Sequence, residues 1–378
     1  MSLSLIAKSI GESATLKLNE VAAILRAKGD PVIHLGGGEP KGKPPLDAIL
    51  AASSLLSSGE VRYTPPDGIP ALKQAIMSAL HAILDPQEEV IFPAPYWVSY
   101  PEMVKLVGAV PVPVHPEDGS FIPRIQDIEQ VIGSYTKAVI INSPNNPSGA
   151  VYPAEFIKDV VELCEKRGLW LIMDDIYHRL IYDGRKPVNP YDYTTDRTDN
   201  SKLIIINGVS KQYAMTGFRI GWAVANTRLI EVMTNIQGHE TSGPSAVLQH
   251  AAVGAINGIQ SSVDSLRTTL ENNRNVLVEQ LRSFDGVRLE EPGGTFYSFA
   301  DFSHYDKDSV RLSEFLLEKV QVVTVPGIEF GKEGHLRLSF CGSIKDITDG
   351  IERIKWALDP NSPNELYIGE RKLVRDWS

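Results

Sequence analysis

The sequence predicts an α/β fold, with a mostly parallel central sheet carrying helices on both faces and a smaller α+β domain beside it. Three observations lead there. Residues 169–173 and 203–206 are short, apolar and β-branched with no polar alternation, the pattern of strands buried on both faces of a parallel sheet. Such runs alternate with amphipathic helical stretches, Ala154–Arg167 among them, as βαβ units require. Beyond a long helix at 262–282 the order changes to strands at 287–297, 320–325 and 335–340, interleaved with helices at 309–318 and 344–358. The 378 residues suffice for two domains with an ample core. The expected division is an arm over 1–14, a small α+β domain from 15–40 and 283–378, and a large α/β domain over 41–282.

The remaining elements follow in order. Leu18, Val21, Ala22 and Leu25 have helical spacing and predict a helix over 16–28 that ends at Gly29. A strand at 32–35 runs into Gly36-Gly37-Gly38-Glu39-Pro40, where glycines permit positive φ or close approach of the backbone to a ligand. The cluster matches neither a GxGxxG fingerprint nor a GxxxxGK[ST] phosphate loop, so tight turn and ligand contact stand equal. A helix over 44–57 is followed by a loop broken at Pro65, Pro66 and Gly68, and Pro70 suits a helix start. From there Leu72, Ala75, Ile76, Ala79, Leu80, Ile83 and Leu84 keep one 3.6-residue period. Strands at 89–92, 110–114 and 137–142 and helices at 100–106, 125–132, 230–236 and 246–254 complete the pattern. The tail at 359–378 gives no reading.

Formal net charge is −10, which argues against nucleic-acid backbones and anionic lipid surfaces as partners. No apolar run approaches the roughly 20 residues of a membrane helix. Two cysteines, Cys164 and Cys341, and a start too short in apolar residues for a signal peptide point to a reducing, cytoplasmic setting. No metal site is expected.

In an open parallel sheet, ligands lie outside the carboxyl ends of the strands. Three such ends carry unusual polar groups: Asn146 after strand 137–142, Asp174 and Tyr177 after 169–173, and Ser210 and Lys211 after 203–206. Arg219 follows between Phe218 and Ile220, and a cation in apolar surroundings needs a partner. Each has a plain explanation: a proline-turn amide, a helix cap, a core aromatic, a solvated lysine. Together they assemble a carboxylate, a phenol, an amide, a lysine and a second cation at one sheet edge. That inventory matches pyridoxal phosphate, whose aldehyde needs a lysine amine, whose ring nitrogen needs a carboxylate, and whose phosphate needs an arginine.

The motifs PAPYWVSYPEM, SPNNPSGAVY, MDDIY, NGVSKQYAMTGFRIGW, GGTFY and HLRLSF resemble those of class I and II aminotransferases of fold type I, and most of all the bacterial aspartate aminotransferase subgroup. The resemblance runs from about residue 13 to about residue 358. It implies that Lys211 joins the cofactor's aldehyde and, once displaced by the substrate amine, moves a proton from Cα. It further implies that Asp174 holds the pyridinium proton, that Tyr177 and Asn146 bond the ring's 3′-oxygen, and that Trp97 stacks on the ring. Arg219 and Ser210 would bind the phosphate, with Tyr63 reaching it from the partner of a homodimer. Arg337 would clamp the substrate α-carboxylate beside the backbone of Gly38.

The sequence departs from the family at one point. The strand and glycine-rich turn that open the phosphate-cradling helix are missing, and on the order of 25 residues have no counterpart between Ile76 and Met77. Either two half-helices are fused by a deletion, or a mobile segment is left out between them. The second is the expectation, since the other motifs are intact, and it requires a Cα separation well beyond ~3.8 Å. The subgroup's distal-carboxylate lysine lies in the absent part, which leaves Thr15 as the candidate for that end. The implied reaction is transamination of L-aspartate with 2-oxoglutarate, ping-pong through the pyridoxamine form of the cofactor. Aromatic or prephenate-type substrates come second. A β-lyase on the same fold, the sensor domain of a regulator and a cofactor-free relic are the rivals, and the short arm holds no DNA-binding helix-turn-helix.

Overall fold

The computed structural model describes residues 4–11, 14–61, 72–368 and 371–377. The chain opens with α1 (Leu5–Ser9), α2 (Ala14–Ala27) and β1 (Ile33–His34), followed by α3 (Leu46–Ser58) and α4 (Leu72–Ile83). The alternating part consists of β2 (Glu89–Pro93), α5 (Ser99–Leu106), β3 (Val110–Val114), α6 (Ile125–Glu129), β4 (Thr136–Asn142), α7 (Ala154–Arg167), β5 (Trp170–Asp174) and β6 (Leu203–Gly208). Then come β7 (Gly221–Val224), α8 (Thr227–Thr241), α9 (Ala246–Asn257) and the 22-residue α10 (Ser261–Arg282). The C-terminal part holds β8 (Tyr297–Asp301), α11 (Ser309–Val320), β9 (Val322–Val323), β10 (Val325–Pro326), β11 (His335–Ser339), α12 (Ile344–Leu358), β12 (Glu365–Ile368) and β13 (Arg371–Val374).

The central sheet has six strands in the order β3-β2-β4-β5-β6-β7, all parallel except β7, which runs antiparallel to β6. Its two faces are both apolar. Val90, Phe92, Ala138, Ile140, Ile172, Ile204 and Ile206 pack with α4, α5 and α8. Ile91, Val139, Ile141, Leu171, Met173 and Leu203 pack with α7 on the other side. This is why the strands show no polar alternation in sequence. The smaller domain combines the antiparallel sheet β10-β11-β8 with the parallel pair β1-β9, covered by α11 and α12.

Four regions bear on the expectations. The strand placed at 287–297 begins only at Tyr297, because the acidic and glycine-rich run through Pro292, Gly293 and Gly294 forms isolated bridges instead of a ladder. A Cβ on Gly294 would come within 2.7 Å of Pro144, so this segment is held by close backbone packing. Secondly, strand β7 was not foreseen; its four residues carry no period-2 signal. Thirdly, residues 72–83 form one helix, as their apolar period predicts. Helix α4 passes through Ile76 and Met77 without interruption, with Ala75, Ile76, Ala79, Leu80 and Ile83 buried on one face, so the apolar period persists across the joint. Finally, in the tail, which gives no reading from sequence, β12 and β13 form an antiparallel pair.

The tail also closes the end of α12, where helix carbonyls lack intrahelical partners. Arg375 donates to Asp359 O at 2.8 Å and to Ala357 O at 3.3 Å, and Trp377 Nε1 donates to Ala357 O at 3.2 Å. The Trp377 ring meets Trp356 and Phe315 edge to face, each at 5.5 Å between centroids. Trp377→Ala should lower unfolding free energy by about 2 kcal/mol, read from urea denaturation; an unchanged midpoint would show that the tail contributes nothing to the small domain.

Candidate active site

The strand ends are tied to one another before they present anything to a ligand. At the end of β4, Asn142 Nδ2 donates to Asp174 O at 2.9 Å and Asn142 Oδ1 accepts from the Asn146 amide at 2.8 Å. Asn145 fixes the turn that follows, donating to Pro95 O at 3.2 Å and accepting the Ser148 hydroxyl at 2.7 Å. These bonds satisfy polar groups that the sheet would otherwise bury unpaired.

Asp174 ends β5 and is 2% exposed. Its Oδ2 accepts the Tyr100 hydroxyl at 2.6 Å and its Oδ1 accepts the Ile176 amide at 3.3 Å. Burial pushes its pKa up to about 6, opposed by the hydrogen bonds from Tyr100 and Ile176 and by the charge of Lys211. Lys211 follows β6, and its Nζ donates to Gly38 O at 2.7 Å. Burial of the amine, with the charges of Arg337 and Arg219 behind it, brings its pKa down to about 8. At pH 7 about a tenth of such an amine is neutral, far more than for an ordinary lysine.

Arg337 lies on β11, 6% exposed, with its guanidinium 4.3 Å above the Tyr297 ring and 4.9 Å from that of Phe330. Nη1 donates to Asn146 Oδ1 and Nη2 to Gly36 O, both at 3.1 Å, while Nε has no partner. Among the described residues no carboxylate is paired with it. Tyr177 is buried with its ring edge-on to that of Tyr297, 6.2 Å between centroids, and burial raises its phenol well above the ordinary value. Gly36 and Gly38 resolve the question left by the glycine cluster. Neither has positive φ; a Cβ on Gly38 would come within 3.1 Å of the Tyr297 hydroxyl, and one on Gly36 within 3.2 Å of Val325. They are glycines because the backbone runs close to its neighbours.

A cavity of about 260 Å³ brings together Lys211, Asp174, Tyr177, Asn146, Trp97, Gly38 and Arg337. Ser210 is buried next to Lys211 but does not line it, and Arg219 is exposed with φ 57°, its Nη1 bonded to Thr216 O at 2.7 Å. Tyr63 and the side chain of Thr15 lie outside the described residues, although Thr15 itself falls within α2. The sequence reading missed Tyr100, Asn142, Tyr297 and Asn19. Tyr100 sits in a helical stretch whose pattern says only that it is buried. Tyr297 was quoted in the GGTFY motif without a role, and Asn19 carried no signal.

Because Tyr100 donates to the ionised form of Asp174, its loss must favour protonation. Tyr100→Phe should raise the Asp174 midpoint by about one pH unit above its starting value, followed by carboxyl ¹³C shifts across pH in the cofactor-free protein. An unmoved midpoint would show that the hydroxyl does not stabilise the carboxylate.

Residues 78–354 match the family described as aminotransferase class I and II. The aspartate aminotransferase of Geobacillus stearothermophilus is 37% identical over 387 aligned positions, covering 94% of this chain and 98% of the relative. Since 94% of 378 residues fill 387 positions, about thirty positions of that relative face no residue here. The aspartate/prephenate aminotransferase of Thermus thermophilus is 35% identical, over 93% of this chain and 97% of its own. Among solved structures, the Rhizobium meliloti aspartate aminotransferase superposes with a TM-score of 0.90 at 32% identity, covering 95% of this chain and 99% of that one. The Thermus thermophilus aspartate aminotransferase with maleate gives 0.88 at 33%, covering 94% and 99%. The chain belongs to the class I and II aminotransferases, a family of fold type I enzymes that use pyridoxal 5′-phosphate.

Proposed function

We propose that this aminotransferase moves the amino group of L-aspartate to 2-oxoglutarate, giving oxaloacetate and L-glutamate in two alternating half-reactions. One observation carries the reading: the half-buried Lys211 and the buried Arg337 face the same cavity as the buried Asp174, and no carboxylate within the described chain pairs with Arg337. A buried, unpaired guanidinium is costly unless an anion arrives from outside. An amino acid's α-carboxylate is such an anion, and the planar fork of Arg337 matches it.

The residues present fit the family's cofactor. Asp174, held towards its ionised form by Tyr100, would keep the ring nitrogen protonated, and Tyr177 with Asn146 would bond the 3′-oxygen while Trp97 covers the ring. Ser210 and Arg219 would take the phosphate, joined by Tyr63 from the second subunit. The bound cofactor supplies an electron sink for the carbanion formed when Cα loses its proton. Lys211 would bond the cofactor's aldehyde, give way to the substrate amine, and then carry the Cα proton with a pKa near neutrality, as a general base requires. Arg337 and the Gly38 backbone would hold the α-carboxylate so that this proton faces Lys211.

A homodimer is supported by apolar side chains left on the surface of α3 and α9. Leu46, Leu50 and Leu56 on the first and Val253 and Ile256 on the second are exposed, as is Ile259 just beyond. The proposed setting is cytoplasmic, in keeping with two unpaired, buried thiols. Among the described residues no helix is long and apolar enough to cross a membrane.

Added pyridoxal phosphate should give a visible absorption band that aspartate bleaches and 2-oxoglutarate restores; no band, or bleaching without restoration, would contradict the reaction. Prephenate-type oxoacids are the second acceptor to try, as a relative's name includes prephenate. Capture of the aldehyde should accelerate as pH rises, with a midpoint near 8, because only the neutral amine of Lys211 attacks. A midpoint near the ordinary ~10.4 would contradict the buried amine. Arg337→Ala should raise KM for both aspartate and 2-oxoglutarate by about 100-fold in steady-state assays, whereas an effect on only one would exclude a shared carboxylate clamp.

A further inference from the structure

Asn19 lines the same cavity as Lys211 and Arg337. It sits on α2. Its amide is oriented, because Oδ1 lies 2.7 Å from His34 Nε2. His34 is pushed down to about 4, chiefly by burial, and is neutral at pH 7. The other ring nitrogen, Nδ1, is buried and finds no partner, so the single proton belongs on Nε2, where Asn19 Oδ1 accepts it. With Oδ1 engaged, the Nδ2 donors of Asn19 are left for the cavity.

Several of the other polar groups around the cavity already have partners. Asn142 bonds Asp174 O and the Asn146 amide, Asn146 Oδ1 accepts from Arg337, and Lys211 bonds Gly38 O. His34 is linked to Arg337 through the glycine turn: a Cβ on Gly36 would lie 3.5 Å from His34 Cε1, and Gly36 O accepts from Arg337. The α-carboxylate of a substrate has Arg337 and its amino group exchanges with Lys211. A second carboxylate on the same molecule needs a further donor.

We infer that Asn19, with its amide fixed by His34, donates to the side-chain carboxylate of a dicarboxylic amino acid and thereby sets the enzyme's preference for that class. The inference rests on the transaminase reading above. Asn19 touches the substrate and His34 acts as a positioning residue behind it.

The test compares aspartate with alanine, which lacks the second carboxylate, in the holoenzyme and its variants. Asn19→Leu should lower the ratio of kcat/KM for aspartate to that for alanine by about tenfold or more, chiefly through KM for aspartate. The affinity for succinate, measured by calorimetry, should fall in parallel. His34→Phe should move the ratio in the same direction by a smaller factor. If Asn19→Leu fails to fold, the isosteric Asn19→Asp, which sets two carboxylates against each other, should depress the ratio at least as far. A ratio and a succinate affinity that stay at the unsubstituted values in the Asn19 variants overturn the inference and leave the transaminase reading intact. An unsubstituted protein that transaminates neither amino acid overturns the proposed reaction, and this inference with it.

Discussion

Everything at the site depends on two ionisable groups of opposite sign held out of water at the ends of neighbouring parallel strands. Asp174 on β5 and Lys211 after β6 each lose solvation, and each responds as burial demands, the acid moving up to about 6 and the amine down to about 8. Neither is left without support. Tyr100 and the Ile176 amide bond the carboxylate, and Gly38 O takes the amine. The result is a carboxylate still ionised at neutral pH beside an amine with an appreciable neutral fraction, the combination that carbonyl chemistry with a protonated ring nitrogen needs.

The scaffold serves that arrangement. A sheet that is apolar on both faces fixes the register of β4, β5 and β6, and the register sets Asn142 opposite Asp174. The smaller domain contributes the opposing wall: Arg337 from β11, supported by Tyr297 and Phe330, and the Gly36–Gly38 turn that enters against them without side chains. Arg337 bridges the domains by bonding Asn146 on one and Gly36 on the other. Its Nε remains without a partner.

Much of this was legible in the sequence because strand ends are easy to read when a buried run stops at a polar residue. Asp174, Tyr177, Asn146 and Lys211 stood out for that reason, and the structure gathers them around one cavity. Tyr100 did not stand out. A tyrosine at a helical apolar position reads as core, and its hydroxyl partner lies 74 residues away. Asn19 was silent for the same reason, since its meaning comes from His34 across a turn. Strand β7 was too short for periodicity to show. At Ile76 and Met77 the local apolar period predicts one helix, as in α4, while the family's spacing predicts additional residues. That spacing still has weight in the comparisons, where relatives carry about thirty positions that this chain lacks.

The central claim is that Lys211 is the amine joined to the cofactor. It is tested most directly by reducing the pyridoxal phosphate complex with borohydride and mapping the labelled peptide by mass spectrometry. The account predicts one pyridoxyl group on Lys211 and none after exposure to aspartate, which would have released that amine. Label distributed over surface lysines, or retained on Lys211 after aspartate, would contradict it.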